Sequence, residues 1–326
     1  MRRLLALAIA SLALVAADEP VRSGPEGAAA KPDAMNGFSI TRQLVDREKI
    51  IPGGPPRDGI HSIDAPAFAS ADAGDAVAPE TPVLGVSLGG SARAYLIPIL
   101  EYHQVVNDTL GGVPIAVTYD PLTGASRVFK RTVSGRELHF GVSGLLYNSG
   151  FLMYDRETES LWSQFQGRAI AGELAGKTLE RLPVRQEQFS SWIQREPKTG
   201  ILIPPDPDKL DYNTSPYEGY SEKDGSVFPV EARDRRFHAK ELVLGVVVNG
   251  KPRAYLASLV TRAGGKLEDE LQGRKIEVAY VPDTMSFRWT APADVDVTEA
   301  YWFAWKAFHP DTEIWHDPGK VEGREP

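Results

Sequence analysis

The sequence predicts a mainly β protein, a β-rich α+β fold made by internal duplication of a strand-turn-strand-helix-strand unit, with the first copy elaborated by an extra hairpin-rich insert. Three observations predict it. Residues 83–96 (VLGVSLGGSARAYL) return as residues 243–256 (VLGVVVNGKPRAYL), and self-similarity of this kind marks a repeated fold unit. After one inserted residue the match resumes, residues 107–121 (NDTLGGVPIAVTYDP) aligning with residues 268–282 (EDELQGRKIEVAYVP). Further on, Trp192, Pro197, Thr199 and Ile201 have the spacing of Trp305, Pro310, Thr312 and Ile314, so each copy closes on an aromatic helix stopped by proline.

Arg2 and Arg3 precede an uncharged apolar run that breaks at Asp18, Glu19 and Pro20, the pattern of a secretory signal peptide over residues 1–17. The run is too short for a permanent membrane span, so the chain is expected to be exported as a soluble protein, periplasmic or secreted, without stable membrane insertion. Residues 18–37 are rich in Ala, Pro, Gly and charge and read as a flexible leader. The first unit then occupies residues 38–203, an irregular Pro-, Asp- and Tyr-rich linker residues 204–226, the second unit residues 227–316, and a tail residues 317–326.

With no cysteine, the chain has neither disulfides nor a lipidation site at a processed N-terminal cysteine. Its net charge of −8, more negative still once Arg2 and Arg3 leave with the leader, argues against nucleic acid as a partner. That leaves an unknown small ligand or a protein.

Inside the first unit, Gly89 and Gly90 divide two strand-like runs and mark a hairpin. Pro98 suits the first turn of a helix whose apolar stripe is Leu96, Ile99, Leu100 and Val106, with His103 on the same stripe. Ile115, Val117 and Tyr119 alternate as a strand, and Ser134 with Gly135 marks a second hairpin, between residues 128–133 and 137–142. The first unit is longer than the second. The excess falls within residues 131–176, a concentration of aromatic, hydroxyl and charged side chains where a site is expected.

In VNDTLGG, VTYDPLTGA, FGVSGLLYNSGFLMYDRETESLWSQ and WFAWKAFHPDT, in that order, the chain resembles the family called domain of unknown function 3179 (DUF3179). The resemblance covers roughly residues 51–315, nearly the whole mature chain. It implies a histidine and a glutamate just before VND and a cysteine pair in the form TYCPLCGT. Here His103 is followed by Gln104, and the cysteine positions hold Asp120 and Thr123. The family pair implies soft-metal or redox chemistry, which this chain's oxygen donors do not support.

His103 and Asp120 are matched in the second copy by Ala263 and Val281, so the fold unit itself demands neither. An imidazole and a carboxylate could hold a divalent metal weakly, or act as a base and its orienter. The candidate site is therefore His103, Asn107, Asp120, Thr123, Tyr147, Met153, Asp155, Arg156 and Trp162, with His103 and Asp120 as metal ligands and no thiolate-bound metal. Catalytic residues are not assigned. Tyr301, Trp305 and Phe308 share one helical face and read as core. Two functions follow: a ligand-binding or scaffold protein with a degenerate site, or an extracytoplasmic metalloprotein or metal-dependent enzyme centred on His103 and Asp120.

Overall fold

A computed structural model describes residues 34–40, 42–71 and 77–316. The signal segment 1–17, nearly all of the leader and the tail 317–326 lie outside the described residues. Strand outweighs helix by 43% to 12%, as the sequence predicts, and the small sheets form a five-bladed, propeller-like ring. Ala34–Met35 pairs with Phe38–Ser39 across Asn36 and Gly37, and the Phe38 side chain is fully buried.

Pro82–Leu88 and Ser91–Leu96 form the first hairpin, with Gly89 and Gly90 both at positive φ in its turn. Arg185–Gln188 flanks it antiparallel on one side, and Gly200–Leu202 runs parallel on the other. Helix α1, Ile97–His103, follows with Pro98 in its first turn, and α2, Phe189–Arg195, follows the flanking strand. The expected helical stripe is too long by its last member. α1 ends where Gln104 turns left-handed (φ 57), and Val106 lies on a strand, Val105–Leu110, which pairs with Val113–Asp120 and through it with Ala125–Lys130. β-branched Val105 and Val106 favour that extended state.

The same order of elements recurs later. Leu242–Val248 pairs with Lys251–Leu256, flanked by antiparallel Asp296–Tyr301 and parallel Glu313–Ile314. Then come α3, Ala257–Arg262, a sheet of Lys266–Leu271, Arg274–Val281 and Ser286–Thr290, and finally α4, Trp302–Phe308. These segments supply two blades each. The fifth comes from the region read as an insert: Phe140–Tyr147, Gly150–Asp155, Leu161–Ser163 and Arg168–Ala171 make one sheet, edged by Ile50–Pro52. The hairpin expected at Ser134 and Gly135 keeps its turn, but only Thr132–Val133 and Arg136–Glu137 pair, because the chain from Phe140 onward joins that fifth sheet.

Two packing devices hold corresponding parts of both segments. Gly85 and Gly245, the glycines of the VLGV runs, each lie against an indole, Trp192 of α2 and Trp305 of α4. Both indoles are buried, and each donates Nε1–H to a threonine seven residues on, Thr199 or Thr312, at 2.9 Å. The second device ties neighbouring sheets. Arg93 pairs with Asp108, which also accepts from the Tyr95 hydroxyl; Arg253 pairs with Asp269 at 2.8 Å, which accepts from the Tyr255 hydroxyl at 2.7 Å. A buried carboxylate held by a guanidinium and a phenol has both charge and hydrogen-bonding satisfied. No helix among the described residues is long and apolar enough to cross a membrane.

Candidate functional site

The structure divides the predicted site residues into separate groups. His103, the last residue of α1, is buried, and both ring nitrogens are engaged: Nδ1 with the His61 carbonyl and Nε2 with the Tyr212 hydroxyl, each at 2.8 Å. Tyr212 also stacks on the ring. Burial lowers the His103 pKa, favouring neutral imidazole.

Asp120 ends its strand with a side chain wholly out of solvent. Its Oδ1 accepts from the Leu122 amide at 3.0 Å and its Oδ2 from the Phe151 amide at 3.1 Å. No hydrogen bond links it to His103. Thr123 lies in the turn that follows, and its hydroxyl sits beside the Asp120 carboxyl without completing a well-formed hydrogen bond. Burial pushes the Asp120 pKa up to about 6, while neighbouring donors pull the other way.

Around Asp120 the structure gathers residues that the sequence did not nominate. Gln104, held in its left-handed turn, directs Nε2 toward the Tyr217 hydroxyl at 3.4 Å, and its Oε1 is buried without a partner. Tyr217 and Tyr220 come from the irregular segment 204–226, and Tyr220 donates to the Leu122 carbonyl at 3.0 Å. Tyr301 closes the cluster from the far end of the chain: its amide bonds the Thr123 carbonyl at 2.7 Å, and its ring covers Gly124, whose positive φ permits the turn. Glu101 is half-buried on α1, and burial pushes its carboxyl upward. Burial raises Tyr217 and Tyr301 to about 12, and the negative charges of Asp120 and Glu101 add to it in both.

The other candidates lie apart from this cluster. Asn107 bonds Asp64 at 2.7 Å and exchanges hydrogen bonds with the Phe140 backbone, splicing one sheet to the next. Arg156 reaches Asp58, Asp64 and the Tyr154 hydroxyl at the surface. Asp155 is buried and accepts from Trp162 Nε1 at 2.8 Å and from Thr158, which braces the turn between two strands of the fifth sheet. Met153 packs in that sheet's core, and Tyr147 donates to Glu231 at 3.1 Å. An open groove of about 640 Å³, lined by Phe68, Arg93, Thr109 and Lys198 among others, lies elsewhere. Among the described residues no group of three His, Asp or Glu side chains is placed to hold a metal ion.

A ring of small sheets with a buried, tyrosine-walled carboxyl at the end of one strand defines a mainly β protein whose distinctive position is the turn from Asp120 to Gly124. That turn lies within residues 57–293, the stretch matched by the family described as "Protein of unknown function (DUF3179)", and the chain belongs to that family. No curated protein matches the chain. No solved structure matches it either.

Proposed function

We propose that this protein is an exported ligand-binding or scaffold member of its family, in which the position of the family's cysteine pair binds rather than reacts. One observation carries the reading: Asp120 and Thr123 stand side by side, out of solvent, with oxygen where the family resemblance implies thiols. Oxygen donors neither attack as thiolates nor cycle between redox states. The recurrence of the Gly–Trp–Thr and Arg–Tyr–Asp contacts supports an origin by internal duplication, with the segment 131–176 added to the first copy. The metal reading centred on His103 and Asp120 draws no support from His103, whose ring nitrogens both have other partners.

A competition titration against a copper(I) chelator tests the reading. The natural sequence should show no tight copper(I) binding, since copper(I) prefers sulfur donors. The double change Asp120→Cys with Thr123→Cys should gain it, because the turn still presents both positions together. Tight binding by the natural chain would overturn the proposal, and an absent gain in the double variant would show that the family position is not preserved. The export part has its own check. Intact-mass measurement of protein recovered from outside the cytoplasm should give a chain beginning near Asp18 without lipid; an unprocessed N-terminus there would contradict it.

A further inference from the structure

We infer that the groove between the strand Arg185–Gln188 and the sheet of Lys266–Leu271, Arg274–Val281 and Ser286–Thr290 binds a small organic anion, held through a carboxylate or phosphate group by Arg185 and Arg288. None of the groove's residues belongs to the Asp120 turn, so the inference goes beyond the binding role just proposed and does not depend on it.

Three observations meet there. The first is an open space lined mainly by one sign of charge. The groove has a volume of about 360 Å³, within the size range of small-molecule sites. On a chain of net charge −8, its lining has four cations, Arg185, Arg195, Lys266 and Arg288, against one carboxylate, Glu277. Arg195 pairs with Glu187 at 3.3 Å and Lys266 lies 3.9 Å from Glu277, whereas no ion pair or side-chain hydrogen bond holds Arg185 or Arg288 among the described residues.

The second observation is the setting of Arg185. It is half-buried, with its guanidinium 5.6 Å from the centre of the Trp289 ring. Burial and the neighbouring Arg195 charge lower its pKa, and Glu187 and Glu299 offset them only in part. Burial and the charge of Glu187 push the Glu299 carboxyl up to about 8, so it is largely protonated at neutral pH. A guanidinium offers five donors in a planar fork that matches carboxylate and phosphate oxygens, and those of Arg185 are unspent.

The third observation is a contrast between two joints of the ring. Arg288 pairs in register with Ala279, the residue before Tyr280, as Arg127 pairs with Thr118, the residue before Tyr119. The strand packed against Arg127 answers it with Asp296 at 3.1 Å. The strand packed against the sheet of Arg288 brings Arg185 instead. Ala279 also pairs with Lys266, so a small side chain stands between two long cations on the outer strands. Those strands lie roughly 10 Å apart, two strand spacings, which leaves room for an oxyanion over the alanine.

Fluorine NMR of the full chain labelled with 5-fluorotryptophan tests the site. Trp289 is one of six tryptophans, and its resonance is the one lost in Trp289→Phe. Titrated at constant ionic strength, inorganic phosphate or citrate should shift that resonance saturably. The anion that saturates at the lower concentration identifies the group, phosphate or carboxylate. Changing Arg185→Gln with Arg288→Gln should weaken the response by at least about tenfold, the loss of one or more charge-assisted hydrogen bonds. The control Lys177→Gln with Lys275→Gln, which removes the same charge from exposed positions outside the groove, should leave it unchanged. Arg288→Gln alone guards against a folding artefact: the side chain is exposed, so the melting temperature should hold while affinity falls several-fold. A shift that does not saturate with either anion, or one weakened equally by the lysine pair, would overturn the site.

Discussion

Replacing Trp305 with alanine should lower the unfolding free energy by roughly 3–5 kcal/mol, the usual cost of deleting a large buried aromatic. The indole is wholly buried in the cluster that joins α4 to its sheet, and the space it occupies was opened by a missing side chain. A Cβ built on Gly245 would stand 2.2 Å from the ring, too close for any small adjustment. Gly245→Ala should therefore also be costly, at the upper end of the roughly 1–3 kcal/mol typical of overpacking or beyond it. The two changes must not add: with Trp305 already alanine, the methyl of Gly245→Ala enters vacated space and should cost little further. Denaturant unfolding of the two single variants and the double variant measures this directly. Additive losses would mean that glycine and indole do not share one volume. Gly85 and Trp192, also 2.2 Å apart by the same construction, should repeat the result.

That pair also shows what the sequence discloses and why. Glycine in VLGV, a tryptophan ahead of proline and a threonine seven residues after the tryptophan are local spacings, and they recur in both copies, so repetition exposes them. The hairpins at Gly89 and Gly250 are legible for a similar reason, since each turn is built by adjacent residues in left-handed backbone. The site is another matter. Its wall is drawn from Tyr217 and Tyr220, in a segment without helix or strand, and from Tyr301, which the helical stripe assigns to the core. Tyr217 meets Gln104 across 113 positions, and Tyr220 meets Leu122 across 98. No periodicity announces a contact of that range. Burial of His103 was readable from the stripe, but the wall it faces was not: α1 ends at that residue, and the following left-handed turn gives Gln104, not His103, to the Asp120 cluster. The only signal for Gln104 was its place where the family resemblance implies glutamate.

Removing the charge at Asp120 should change how stability depends on pH, and the sign follows from burial. The carboxyl titrates near 3.8 when exposed and at about 6 in the fold, so the folded protein binds this proton more tightly than the unfolded chain does. Its contribution is then fully present below about pH 4, declines as pH rises, and is lost above about pH 6. The gap corresponds to roughly 3 kcal/mol. The stability of the natural protein minus that of Asp120→Asn should fall by about that amount between pH 4 and pH 7, and stay flat above. The subtraction cancels other titrating groups, Glu299 among them, whose carboxyl burial also pushes up, to about 8. A difference that is flat from pH 4 to pH 7 would mean that the carboxylate is already ionised and satisfied by its hydrogen bonds, and Asp120 would then be a structural cap for the Leu122 and Phe151 amides.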